Sequence, residues 1–262
     1  MKPDRDRTIS SLKGAVGVFL AAALLSGCAT QGGAPPGDIS EPLFKTASVS
    51  EAGGDYVTAA DHYKKIHDRR PQDRAALLGL ARNLRYSGNA RIALKILKAA
   101  SKDFQDDGLF LTELGKVHIA TSNAEAAVKT LKAAIAKDSR NWEAYATLGV
   151  GNDLLQAYPE AWEAYQKALE ISPNNPAVLN NMALSAALGG RIELAISTLE
   201  GAPIAVRRTP QVRQNLAFFY GIKGNLKKAE ALAKMDLDEK SVRNNLNIYS
   251  RFHKKSHKRK AK

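Results

Sequence analysis

A 34-residue period constrains this chain more than any other feature of its sequence. Six consecutive units begin at Ser40, Arg74, Gly108, Trp142, Pro176 and Pro210, with no insertion between them. Numbered from 1 to 34 in each unit, position 20 is Ala59, Ala93, Ala127, Ala161, Ala195 and Ala229. Position 8 is Ala47, Ala81, Gly115, Gly149, Ala183 and Ala217, always small. Position 7 is Thr46, Leu80, Leu114, Leu148, Met182 and Leu216, and position 24 is Tyr63, Leu97, Leu131, Tyr165, Leu199 and Ala233. Small residues at 8 and 20 let two helix backbones approach, and larger ones at 7 and 24 fill the space beside them. The clearest unit runs from Trp142 to Asn175. Tyr145, Leu148, Gly149 and Asn152 stand at i, i+3, i+4, i+7, and Ala161, Tyr165 and Ala168 at i, i+4, i+7. Each set is one stripe of a helix, the stretch from Gln156 to Glu160 separates them, and Pro173 ends the second.

This helix–turn–helix unit resembles the tetratricopeptide (TPR) repeat, whose period it shares. The expected fold is all-α: a right-handed TPR superhelix, or α-solenoid, of about six repeats over residues 40–241 plus a carboxyl-terminal capping helix. In such a stack each unit contacts mainly its neighbours. The pattern weakens at both ends. Ser48 to Gly54 is poor helix material, so the first helix of unit one is expected to be frayed or partly linker. Unit six places Asp236 where a small apolar residue belongs, which predicts a shortened second helix. Val178–Met182, Val212–Leu216 and Val242–Leu246 share one pattern, so residues 242–252 read as one more first-type helix that caps the stack.

The formal net charge of +13 is unevenly placed, because Arg251 to Lys262 hold seven Lys or Arg and no acid. The repeat body is only mildly basic and calls for no nucleic-acid partner. Residues 253–262 read as a solvated basic tail, with attraction to anionic lipid headgroups as the functional alternative. The amino terminus is different again. Lys2, Arg5, Arg7 and Lys13 precede an apolar run from Ala15 to Leu25, too short to span a bilayer and suited to the core of an export signal. Leu25-Ser26-Gly27-Cys28 follows and resembles the bacterial lipobox. The expectation is a lipoprotein signal peptide over residues 1–27, lipidation at Cys28, and a Gly/Pro-rich tether over 28–39. Ala29, rather than Asp, after the cysteine favours the outer membrane, facing the periplasm. Cys28 is the one cysteine, which excludes an intrachain disulfide and a cysteine-based zinc site.

The TPR resemblance implies that the first helices line a groove that binds protein partners. Mapped on this chain, unit two contributes Arg82, Arg85 and Tyr86 and unit three Thr112, Glu113 and Lys116. Units five and six contribute Asn180, Asn181, Gln214, Asn215 and Phe218, and the capping helix Asn244 and Asn245. Asn181, Asn215 and Asn245 align at one position, and a ladder of amides offers a donor and an acceptor at each step to an extended peptide. The alternative is that these Asn bridge neighbouring helices. Arg82 and Arg85 present forked donors suited to a carboxylate, or else a solvated face. His62 and His67 are five apart, His118 falls at a packing position, and His253 and His257 sit in the cationic tail, so no metal site is expected. Neither a nucleophile elbow, a phosphate-binding Gly-rich loop nor a carboxylate pair stands out, and no catalytic role or cofactor is expected.

The stretches NNMALSAALGGR (Asn180 to Arg191) and LAFFYGIKGNLKKAEALAKMDL (Leu216 to Leu237), with the VRNNL close at Val242, add a narrower likeness. Together with the lipobox and the repeats they resemble the TadD family, the TPR lipoproteins of tight-adherence (Tad/Flp) pilus systems. That resemblance implies a non-enzymatic role in assembling or placing the outer-membrane secretin, as pilotins do, with the secretin or other pilus components as partners. The competing expectation is a TPR lipoprotein adaptor that recruits cell-wall hydrolases or synthases.

Overall fold

A computed structural model describes residues 40–260, with side chains through Lys254. The expected signal segment, Cys28 and the tether lie outside the described residues. Among these residues there are fourteen helices and no strand. The first helices of the six units are α1 (Ser40–Ala52), α3 (Arg74–Tyr86), α5 (Gly108–Ala120), α7 (Trp142–Leu154), α9 (Pro176–Leu188) and α12 (Pro210–Lys223). Their second helices are α2 (Tyr56–Arg69), α4 (Ala90–Ala100), α6 (Ala124–Lys137), α8 (Tyr158–Ile171), α10 (Ile192–Glu200) and α13 (Leu226–Ala233). A single turn, α11 (Ile204–Arg207), interrupts the linker after α10, and α14 (Glu239–Lys260) ends the described chain.

The helix boundaries follow from local chemistry. Position 34 supplies the cap of the next unit: the side chains of Asp73, Asp107, Asn141 and Asn175 accept hydrogen bonds from the free backbone N–H groups of α3, α5, α7 and α9. The turn between paired helices places position 15 in the left-handed region in every unit, at Gly54, Gly88, Ser122, Gln156, Gly190 and Gly224. That one residue reverses the chain so that the two helices lie side by side.

Packing then follows the period. All six alanines at position 20 are fully buried. At position 8, a Cβ added to Gly149 would sit 2.5 Å from the Tyr165 ring, and one added to Gly115 would sit 2.6 Å from Leu131. These are the position 24 residues of the same units, so the small and large positions interlock face to face. Each second helix also packs on the first helix of the following unit, which makes the fold a continuous stack.

Two expectations at the ends need correction. The first helix of unit one is a complete helix of 13 residues. Ala47 is fully buried against α2, the Phe44 ring meets Tyr63 edge-on at 5.9 Å, and the Tyr63 hydroxyl donates to Glu51 at 3.3 Å. Tertiary contacts stabilise a segment whose own propensity is low, as they do for most short helices. At the other end one helix of 22 residues runs through the boundary expected between cap and tail. Asp238 caps its start through the Ser241 backbone N–H, and Val242 and Tyr249 are buried against the preceding unit. The Tyr249 ring fills the space that a side chain at position 221 would need, which only Gly221 leaves open. The second helix of unit six stops after eight residues. Asp236, just beyond it, is held by the Arg213 guanidinium and by Gln214 Nε2 at 2.9 Å.

Candidate functional site

Successive first helices touch one another, α3 with α5, α5 with α7, α7 with α9, α9 with α12 and α12 with α14. This continuous row is where sequence reasoning put the groove, and its side chains are bridged from unit to unit. Arg82 of α3 reaches back to both carboxylate oxygens of Glu51 in α1, the Nη2 contact measuring 2.8 Å. Arg85 donates from Nε to Glu113 of α5 at 2.8 Å and from Nη2 at 3.3 Å. Lys116 of α5 meets Glu143 of α7 at 2.7 Å. Burial acts to raise the Glu51 carboxyl, yet the hydrogen bond from Arg82 and its charge outweigh that and hold the group below its ordinary value. Arg82 and Arg85, expected to suit a carboxylate, and Lys116, expected in the groove, are therefore already matched within the chain. Lysine at 116 and arginines at 82 and 85 set the register of one first helix on the next.

The bridges that join α7, α9 and α12 directly carry no cation. Asp153 of α7 accepts from the Ser185 hydroxyl of α9 at 2.6 Å and from the Tyr165 hydroxyl of α8 at 2.8 Å. Burial pushes its carboxyl above the ordinary value, and these two neutral donors only partly offset the shift. Asn215 of α12 donates its amide N–H to the Oδ1 of Asn180 in α9. Thr112 and Asn180, both at position 5, are buried rather than open to a groove. Thr112 accepts from Asn141 at 3.0 Å and donates to the Gly108 carbonyl at 2.7 Å.

The remaining expected groove residues fall into two groups. Tyr86 is exposed at the end of α3, 4.9 Å from the Tyr56 ring, with the Arg85 guanidinium 4.4 Å from its centroid. Phe218 of α12 is half-buried and meets Tyr249 edge-on at 5.6 Å and Phe252 at 6.2 Å. Asn181 and Asn245 are half-buried on α9 and α14. Asn181, Asn215 and Asn245 thus share the row, but Asn215 is committed to a helix–helix bond. Sequence reasoning passed over Glu51, Glu143 and Asp153. The signal that marks the first two is a charge of opposite sign 31 residues before or 27 residues after a cation of the row.

This arrangement offers recognition chemistry. Amides and aromatic edges of units five, six and α14 present donors, acceptors and apolar surface. His118 is buried, and burial and nearby Lys98 both push its imidazole below the ordinary value, which favours the neutral ring. Among the described residues no three His, Cys, Asp or Glu side chains are grouped to hold a metal ion, and no helix is long and apolar enough to cross a membrane. A surface hollow of about 610 Å³ lies at the loop between units two and three, around Arg74, Asp103, Asp106, Asp107 and Asp138, and includes none of the groove residues named above.

Family models of the tetratricopeptide repeat match residues 52–112 and residues 112–176. No curated protein matches the chain. Among solved structures, the fold is similar to TTC0263, a thermophilic TPR protein in Thermus thermophilus, with 22% identity and a TM-score of 0.56. The match covers 66% of this chain and 96% of that one. It is also similar to MamA (41-end) from Desulfovibrio magneticus RS-1, with 18% identity over 63% of this chain and 93% of that one and a TM-score of 0.52. At these identities the likeness concerns the fold. The repeat period, the interlocked helix pairs, the family models over residues 52–176 and these neighbours agree on the fold: an all-α solenoid of tetratricopeptide repeats, a fold that serves as a protein-interaction scaffold.

Proposed function

We propose that this chain is a non-enzymatic lipoprotein of the outer membrane, anchored through Cys28 on the periplasmic face, and that its TPR stack assists Tad/Flp pilus assembly. Its partners on this reading are the pilus secretin or other components of the same machine, which it helps to assemble or localise as a pilotin does. The observation that carries the proposal is the conjunction of a lipobox-like Leu25–Cys28, six TPR units and the closing stretch from Leu216 to Leu246. Part of that stretch has packing duties, since Asp236 anchors Arg213 and Tyr249 covers Gly221. With Gln214 held on Asp236 and Asn215 on Asn180, the half-buried Asn181 and Phe218 are the side chains of the last first helices offered to a partner.

Deletion of the gene followed by immunoblotting for heat-resistant secretin multimers tests the proposal. The expected result is loss of multimers and of surface pili, restored by the parent gene and not by a Cys28→Ser allele. Unchanged multimers with normal pili overturn it. A pull-down that returns murein hydrolases or synthases and no pilus component favours the adaptor reading instead.

A further inference from the structure

We infer that α14 is an interfacial helix whose carboxyl-terminal half docks on an anionic phospholipid surface. The inference rests on α14 alone and does not depend on the pilus reading. One face of the helix is rooted in the stack: Val242 and Tyr249 are buried, and His253 Nδ1 lies 3.1 Å from the Ile222 carbonyl at the end of α12. The flank beside it leaves Ile248 47% and Phe252 52% exposed, one helical turn apart. The half-exposed Phe252 ring meets Phe218 of the stack at 6.2 Å, with the two rings perpendicular. The helix then continues to Lys260, about 10 Å beyond His253 at the usual rise per residue.

Charge supplies the second half of the argument. After Glu239 the sequence holds no acid, and its nine basic residues supply most of the formal net charge of +13. Phe252 is preceded by Arg251 and followed by Lys254 and Lys255, with Lys258, Arg259 and Lys260 one turn further on. In the first-helix row Arg82, Arg85 and Lys116 are matched by Glu51, Glu113 and Glu143, whereas most of the formal net charge of the chain lies in the sequence after Glu239. An apolar pair bordered by cations on a pre-formed helix is the arrangement that sits in a headgroup layer, with side chains such as Ile248 and Phe252 in the acyl boundary and ammonium groups on phosphates. A nucleic acid backbone would satisfy the cations but leave Ile248 in water. Because packing on α12 already orders the start of the helix, little conformational entropy remains to be lost on docking.

The test is vesicle co-sedimentation of the full chain carrying Cys28→Ser, so that no acyl chain contributes. Phosphatidylcholine vesicles are compared with phosphatidylcholine vesicles containing a minority of phosphatidylglycerol, at low and high salt. Replacing Lys254, Lys255, Lys258, Arg259 and Lys260 by Gln should cut binding to the anionic vesicles by roughly tenfold or more at low salt and leave binding to neutral vesicles unchanged. Ile248→Ser, which spares the Phe218–Phe252 contact, should lower binding severalfold at both salt concentrations. Circular dichroism and thermal melts check that both variants keep the fold. Equal sedimentation of parent and charge-neutralised chains on anionic vesicles overturns the proposal, since the apolar segment at 15–25 is common to both. Binding of the parent to a DNA duplex or to polyglutamate with no charge-dependent vesicle binding overturns it too.

Discussion

Position 15 carries φ between 59° and 99° in all six units, yet only four of those residues are glycine. Ser122 and Gln156 hold the left-handed conformation against a side-chain clash that costs roughly 1–2 kcal/mol. Gln156→Gly should therefore stabilise the protein by about 0.5–1 kcal/mol after the extra freedom of glycine in the unfolded chain is counted, and a urea melt checks it. A lower midpoint would mean that the Gln156 side chain holds the turn by a contact worth more than the strain. Asp153 yields a pH prediction at the same scale. Its carboxyl is raised in the folded state by burial, so the folded chain binds this proton more tightly than the unfolded one. Its contribution is complete below the ordinary value of 3.8 and is lost as pH rises through the raised value. Asp153→Asn removes that loss. The stability of the variant relative to the parent should climb with pH from about 4 upward, measured by urea melts at a series of pH values. A flat difference would place the carboxylate in a better-solvated setting than its bonds to Ser185 and Tyr165 indicate. These turn residues were legible in the sequence because they act within a few residues of themselves. The Asp153 site was not, because Ser185 stands 32 residues away.

Between elements, the ion pairs of the first-helix row differ in worth because they differ in burial. The Arg85 and Glu113 side chains are 14% and 8% exposed, whereas Glu143 of the Lys116 pair is 45% exposed. Removing one partner of a nearly buried pair strands the other without water. Glu113→Ala should cost about 2–3 kcal/mol, and Glu143→Ala less than about 1 kcal/mol, by urea unfolding. Double-mutant cycles with Arg85 and Lys116 should show coupling only in the first case. Similar costs for the two would mean that the row is wetter around Arg85 than the packing indicates. The TPR resemblance assigned Arg82, Arg85 and Lys116 to the first helices, and in the structure they bridge those helices to their neighbours. The sequence could not show that each was matched, since helix period says which way a side chain points and nothing about the rotation of the next unit. The same limit explains α1. Its residues are poor helix formers in isolation, and Ala47 and Phe44 became helical through contact with α2.

At the scale of the whole molecule, a stack of units is exposed at its last interface, and α14 covers that interface here. A chain ending at Asp238 loses Val242 and Tyr249 and uncovers Gly221 and the buried Phe219. Its thermal midpoint should fall by roughly 5–10 °C, while a chain ending at Lys254 should melt within about 1–2 °C of the parent. Equal melting of the two shortened chains would assign α14 no capping role. The second chain also lacks most of the basic stretch, so it separates folding from attraction to a surface.

The sequence alone determined the repeat: where each unit begins, how its apolar stripes pair, and which alanines let helices approach. Each of these depends on neighbours within one 34-residue unit, and the period repeats the signal six times. Only the tertiary structure decided that α1 is whole, that α14 is one helix from Glu239 to Lys260, and that the cations of the row are paired with Glu51, Glu113 and Glu143. Those outcomes depend on how one unit is rotated against the next, a geometry set by packing across the interface and written in no local stretch of the chain.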